Sequence, residues 1–261
     1  MKIRNQIEYC VSANYALFSD PIARMGGEKF SYMLPTYQAL KGITESIYWK
    51  PSIIWVVDEM RIMKPIRTES KNIRPISYVA PKNTLSVYTY LADVSYQVRA
   101  HFIFNENRRE ELEQDFNENK HHNIAKRMVE KGGRRDIFLG TRECQGYVES
   151  CVFGEGESYY DHYGELEFGL MFHGFDYPDE TGQNILAARS WKPKMVNGVV
   201  QFLPPEELPE EMKRNIRPMK AKQFGEKFGN FSGLKEETLK RELVWEGGET
   251  NELDAEIMRG V

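Results

Sequence analysis

Lys120-His121-His122 lies among the amides Asn117, Asn119 and Asn123, and a run of cations follows it: Lys126, Arg127, Lys131, Arg134, Arg135 and Arg142. These residue types suit one kind of chemistry, the metal-free cleavage of RNA. There a ribose 2′-hydroxyl loses a proton and attacks the adjacent phosphate. The leaving 5′-oxygen gains a proton, and the extra negative charge must be stabilised. Histidine exchanges protons near neutral pH, lysine supplies a fixed positive charge, and tyrosine orients a hydroxyl or passes a proton. A Lys-His pair close to an exposed tyrosine is sufficient, and Tyr48 is the candidate. Taken singly, the parts have plainer explanations. Two adjacent histidines are often an incidental surface pair, and Tyr48, at a helix end, is the kind of residue that packs. Tyr15, Phe18, Tyr32 and Tyr37 could stack on bases, but isolated aromatics usually belong to a core.

Other chemistries find less support. No His-x-x-x-His or cysteine cluster is visible, so no metal site and no cofactor are expected. No GxxxxGK[ST] phosphate loop occurs, and Gly26-Gly27 and Gly132-Gly133 are weak signals alone. Cys10, Cys144 and Cys151 are odd in number and form no Cys-x-x-Cys pair. The first residues lack the apolar stretch of a signal peptide, and Ile53–Val57 is too short to span a bilayer. A cytoplasmic protein without membrane contact is the expectation. Net charge is −4, which hides an asymmetry: 22 basic against 16 acidic residues up to residue 142, and 13 against 23 beyond it. Such a division is expected when one part of a chain meets a polyanion.

The elements that must position these residues follow from periodicity. Gln6–Val11 alternates and predicts a first strand. From Thr36 to Trp49 the apolar residues Leu40, Ile43 and Ile47 share a helical face, Thr36 stands at the N-cap, and Lys50-Pro51 ends the helix. Ser52–Met63 predicts a long strand. The stretch from Arg61 to Lys82 carries Arg61, Lys64, Arg67, Lys71, Arg74 and Lys82 against a single acid, Glu69. With Pro65, Pro75 and Pro81 it reads as a protruding hairpin or loop. A further strand is expected within Val87–Phe104 and a short helix over Asn123–Lys131, closed by Gly132-Gly133. A fourth strand is expected to begin at Ile137 and run on through Tyr147 to Phe153. The order β-α-β-β-α-β is the ferredoxin-like pattern, shared with RNA-recognition folds. Beyond Gly154 three antiparallel strands are predicted, over residues 166–173, 184–191 and 198–202, with a turn at Pro178–Gly182. The expected division is residues 1–153 as an α+β, ferredoxin-like RNA-binding and catalytic domain, 154–217 as a small antiparallel β domain, and 218–261 as an acidic tail, partly helical or disordered.

Several segments together resemble one family, the Cas5-type proteins of the type I-C (Dvulg) CRISPR system, in the RAMP superfamily. They include Tyr15–Pro21, Gly26–Lys29, Pro35–Ile43, Glu45–Pro51, Gly132–Gly140, Arg142–Val148 and His173–Glu180. The resemblance implies a metal-independent endoribonuclease that cuts CRISPR precursor RNA within the repeat. It implies that the protein stays on the 5′ handle beside the other subunits of the surveillance complex. Double-stranded DNA is a further candidate partner. The family's catalytic residues fall on Tyr48, Lys120 and His121. His121 directly follows Lys120, as in the family pattern, and His122 takes a position often aromatic in relatives. On this reading His121 transfers a proton, Lys120 stabilises the transition state, and Tyr48 activates or orients the 2′-hydroxyl. Arg61, Lys64, Arg67, Lys71, Arg74, Lys126, Arg127, Arg134, Arg135 and Arg142 would hold RNA phosphates. Two alternatives stay open: a non-catalytic subunit that caps the RNA 5′ end, and a metal-dependent nuclease.

Overall fold

A computed structural model of the chain describes residues 5–21, 25, 29–74 and 85–221. Gly26-Gly27-Glu28, Pro75, Pro81, Lys82 and most of the expected tail lie outside them. The frame is a mainly antiparallel sheet. Strand β1 (Gln6–Ala16) alternates strictly enough that Ile7, Tyr9, Val11 and Ala13 are all buried on one face. After the two-residue β2 (Lys29–Phe30), helix α1 spans Tyr37–Ile47. Thr36 caps it as expected, its hydroxyl accepting the Ala39 N–H at 3.1 Å. Strand β3 (Ile53–Ile62) follows, then the short β4 (Thr68–Ile73) and the 19-residue β5 (Ser86–Phe104). In β3 the pairing register against β5 shifts between Val57 and Glu59. That bulge rephases the alternation, so that Ile53, Trp55 and Val57 and then Met60 and Ile62 all enter the core.

The second long helix, α2 (Glu118–Glu130), begins five residues before the expected start. Asn117 is its cap, accepting the Lys120 N–H at 3.0 Å. A polar, acidic entry therefore belongs to the helix rather than to a loop, and Lys120-His121-His122 sits in its first turns. The helix buries a single stripe, His121, Ala125 and Val129, at four-residue spacing. Lys120 precedes that stripe by one residue, about 100° around the helix, and faces solvent. Gly132-Gly133 ends the helix as expected; both are in the left-handed region, φ 80° and 108°. The expected fourth strand is in fact a hairpin, β6 (Ile137–Phe138) against β7 (Gln145–Ser150). Gly140, at φ 94°, turns it where a Cβ would strike the Leu17 carbonyl.

The second half divides between two sheets. The expected strand 166–173 breaks at Gly169 (φ 70°) into β8 (Glu165–Glu167) and β9 (Met171–Asp176). Beyond β10 (Ile185–Trp191), the short β11 (Lys194–Val196) and β12 (Val199–Gln201) form a hairpin. The last strand, β13 (Lys213–Pro218), closes the expected β domain and ends on the first residue of the expected tail. The large sheet runs β6-β7-β1-β5-β3-β12-β11-β8, with β2 and β4 also on β5, and the small one runs β13-β10-β9. Because β12 pairs with β3, part of residues 154–217 completes the first sheet rather than standing apart. Pro178–Thr181 is one helical turn closed by Gly182 at φ 71°. No helix among the described residues is long and apolar enough to cross a membrane.

Candidate active site

Tyr48 is the first residue past α1, in extended geometry, and its carbonyl accepts the Trp55 indole N–H at 2.6 Å. That bond ties the end of the helix to β3 and turns the phenol inward. The Tyr48 hydroxyl lies 2.8 Å from His121 Nδ1. His121 Nε2 lies 2.6 Å from the main-chain carbonyl of Asp115. A carbonyl can only accept, so Nε2 carries the proton; in a neutral ring Nδ1 then accepts from the phenol. Phe102 and Phe104 pack edge-on against the imidazole, with ring centres at 6.0 and 6.2 Å. Both site rings are enclosed: Tyr48 is 1% exposed and His121 0%. Burial, with the Asp115 charge, pushes the phenol up to about 12, against the opposing charge of Arg134.

Asp115 is the hub. Its carboxylate oxygens accept from Lys120 Nζ at 2.5 Å and from the buried Ser52 hydroxyl at 2.5 Å, and one lies 3.6 Å from His121 Nε2. Burial alone would raise this carboxyl. Hydrogen bonds from Lys120 and Ser52, together with the Lys120 charge, outweigh that and hold it below the usual carboxylate range. Ser52 also accepts the Asn105 N–H on its own carbonyl at 2.9 Å, so it pins both ends of the 105–115 segment. That segment is short helical turns. Phe116, just beyond it, stacks on Phe104 at 4.7 Å, and Arg108 pairs with Asp179 beside the small sheet. Neither Ser52 nor Asp115 carries a sequence signal that could have singled it out, since their importance comes from a contact 63 positions apart.

Tyr48, Lys120 and His121 thus meet in one place. The ten cations expected to hold phosphate do not form one surface of equal availability. Arg61 is buried and turns inward, reaching Asp161 at 2.7 Å and the carbonyls of Gly156 and Glu155 at 2.8 and 3.2 Å. Its guanidinium holds the 155–161 loop against β3 rather than facing a phosphate, which corrects the expectation for this residue. Lys64 and Arg67 share Asp93, at 2.6 and 3.1 Å, and Lys71 lies over the Tyr15 ring at 3.2 Å. Arg74 is exposed. Lys126, Arg127, Arg134, Arg135 and Arg142 are exposed, and none is paired with a carboxylate among the described residues. The main-chain N–H of Arg134 donates to the Ile47 carbonyl at 3.1 Å, and that of Arg135 to Ser46 at 3.0 Å. Those bonds cap α1 beside Tyr48.

Comparison with known proteins gives the family. The Cas5d family, described as CRISPR-associated protein (Cas_Cas5), matches residues 7–203. A protein of Mannheimia succiniciproducens named CRISPR pre-crRNA endoribonuclease Cas5d is 27% identical over 237 residues, covering 80% of this chain and 99% of its own length. A crystal structure of a CRISPR-associated protein superposes with a TM-score of 0.66 at 34% identity, covering 80% of this chain and 96% of the other. A functionally uncharacterized protein of Streptococcus mutans superposes at 0.65 and 38% identity, with the same coverage. With its family pattern running from the first strand to just past β12, the chain belongs to the Cas5d family of CRISPR-associated proteins.

Proposed function

We propose that this chain is a pre-crRNA endoribonuclease that cuts CRISPR precursor RNA with its own side chains, without a metal. On this reading it stays on the 5′ handle as a subunit of the type I-C surveillance complex. The observation that carries it is the Tyr48–His121 contact at 2.8 Å, with Lys120 and His121 Nε2 gathered on Asp115. The relative from Mannheimia bears that activity in its name. The strand order β7-β1-β5-β3, with α1 and α2 in the crossovers, supports a ferredoxin-like core over residues 1–153.

The imidazole divides its work between two nitrogens. Nδ1 is spent on the enclosed phenol, so RNA meets the ring at Nε2, on the side of Lys120. As the 2′-oxygen attacks phosphorus and the P–O5′ bond breaks, Nε2–H gives its proton to the departing oxygen and Nδ1 takes the phenol's. A phenol at about 12 is still a much stronger acid than an alcohol, so this relay runs downhill. The proton lost by the 2′-hydroxyl returns through water to Tyr48. The products are a 2′,3′-cyclic phosphate and a 5′-hydroxyl. The Lys120 ammonium neutralises the charge that builds on phosphorus. Tyr48 therefore acts on RNA through His121 rather than by touching the 2′-hydroxyl. Exposed Lys126, Arg127, Arg134, Arg135 and Arg142 lead phosphates toward this point.

RNA reaches Nε2 only when the segment around Asp115 lifts, because neither ring has open surface. That same enclosure favours a second reading, a subunit that only caps the RNA 5′ end. One assay separates them: purified protein with repeat RNA in EDTA, followed by analysis of the ends. Cyclic-phosphate and 5′-hydroxyl ends are the expected result. RNA bound tightly but intact would establish the cap, and cutting abolished by the chelator would establish metal-dependent chemistry.

A further inference from the structure

Four hydrogen-bond donors converge on the Asp115 side chain and main chain: three from side chains, the Ser52 hydroxyl, the Lys120 ammonium and the His121 Nε2–H, and one from the main-chain N–H of Asn117. An ammonium and two neutral donors around one point are what a phosphodiester oxygen pair requires. In the free protein the chain supplies an anion of its own there. The Asp115 carboxylate takes the hydroxyl and the ammonium, and the carbonyl of the same residue takes the imidazole. Ser52 is 0% exposed, so its hydroxyl has no solvent partner to replace Asp115.

We propose that Ser52, Lys120 and His121 Nε2 form the scissile-phosphate subsite, and that Asp115 occupies it as an internal stand-in until RNA displaces it. The proposal rests on the endoribonuclease reading above and adds two things to it. Ser52 becomes a catalytic residue, donating its hydroxyl hydrogen bond to a phosphate oxygen. Asp115 becomes a group that must leave. The exchange is one of anions: the carboxylate gives up the hydroxyl and ammonium as the phosphate takes them, and Asp115 moves into water. It also explains how an enclosed Tyr48–His121 pair can serve a polymer substrate. The group that blocks His121 Nε2 and the occupant of the subsite are the same residue, so phosphate entry and release of Nε2 are one event.

A role for Asp115 in holding the site together predicts the opposite of a stand-in, which makes the test sharp. Cleavage of repeat RNA is measured under single turnover with the full chain, alongside thermal melting in inorganic phosphate. Asp115→Ala should lower the half-saturating RNA concentration at least threefold. Ser52→Ala should lower the maximal rate about tenfold and leave RNA affinity within threefold. Inorganic phosphate should stabilise Asp115→Ala at concentrations at least tenfold lower than wild type, and this gain should vanish in the Asp115→Ala/Ser52→Ala pair. Asp115→Asn, which keeps the shape and removes the charge, carries the same test if the alanine variant does not fold. A fall in maximal rate for both Asp115 variants at unchanged melting temperature would overturn the stand-in and make Asp115 a working part. Equal phosphate effects with and without Ser52 would overturn the subsite. A wild type that never cuts, yet shows the phosphate pattern, would sink the nuclease reading and leave the anion subsite standing.

Discussion

Two clusters of cations stand out in the first 142 residues, and they have been put to opposite uses. Between residues 61 and 71 the charges are mostly answered within the fold: Arg61 by Asp161, Lys64 and Arg67 by Asp93, and Lys71 by the face of Tyr15. Between residues 126 and 142 the side chains stand in solvent, while the main chain at Arg134 and Arg135 caps α1 next to Tyr48. A count of Lys and Arg along the sequence makes the two clusters look alike. What separates them is whether the chain returns an acid to the same place. Asp161 and Asp93 do so for the first cluster, from 100 and 26 to 29 positions away. A charge already paired must be unpaired before it can hold phosphate, so on the proposed reading the second cluster is the readier RNA surface, while Arg61 in the first belongs to the architecture.

The most severe test sets Lys120 against Lys64. Both are about 45% exposed and both are ion-paired, but only Lys120 adjoins the Tyr48–His121 pair. Lys120→Ala should slow cleavage about a thousandfold, equivalent to about 4 kcal/mol of transition-state stabilisation, with RNA affinity nearly unchanged. Lys64→Ala should change the rate less than threefold. Single-turnover kinetics read both, and parallel losses in binding and rate for Lys120→Ala would remove its assigned role. His121→Ala should fall with Lys120→Ala, and His122→Ala should not, because only His121 lies on the buried stripe of α2.

Next in size is Arg61. Its guanidinium holds Gln97 and two loop carbonyls in the interior. Arg61→Ala should cost about 2–3 kcal/mol of folding stability through those lost hydrogen bonds. Urea unfolding checks this. A variant as stable as wild type but weak in RNA binding would return Arg61 to the phosphate surface.

How much of this the sequence disclosed depends on whether the determining contact is local. The N-cap at Thr36, the stripe Leu40-Ile43-Ile47 and the Gly132-Gly133 stop are local, and each stands where periodicity and capping put it. The start of α2 is not legible in sequence because Glu118, Asn119 and Lys120 suit a loop and a solvated helix face alike. The cap at Asn117 decides between those, and Asn also ends loops. The strand expected over 166–173 was split by Gly169, whose positive φ is permitted, not demanded, by the residue type. At the site, chemistry and resemblance point to Tyr48, Lys120 and His121, and the fold brings the three together around Asp115. Neither chemistry nor resemblance points to Ser52 or Asp115, because a serine before a strand and an aspartate in an acidic run are ordinary until a fold joins them. Arg61 was misread for the same reason: its partner Asp161 belongs to the half of the chain whose charge was treated as separate.

The smallest expected effects lie in RNA affinity and give the comparison its finest reading. Removing Arg134 and Arg135 together should weaken RNA binding about tenfold. It should also reduce the salt dependence of the binding constant by about 1.4 in log–log slope, the loss of two phosphate contacts on single-stranded RNA. Removing Arg67 and Lys71 together should weaken binding less than threefold with little change in slope, since Asp93 and Tyr15 already engage both cations. The slope is the more telling measurement. A variant can lose affinity because its fold has loosened, but only lost phosphate contacts release fewer counterions. If the Arg67 and Lys71 pair lowers the slope as much as the Arg134 and Arg135 pair does, RNA displaces the first cluster's internal partners after all. In that case the phosphate track extends over β4.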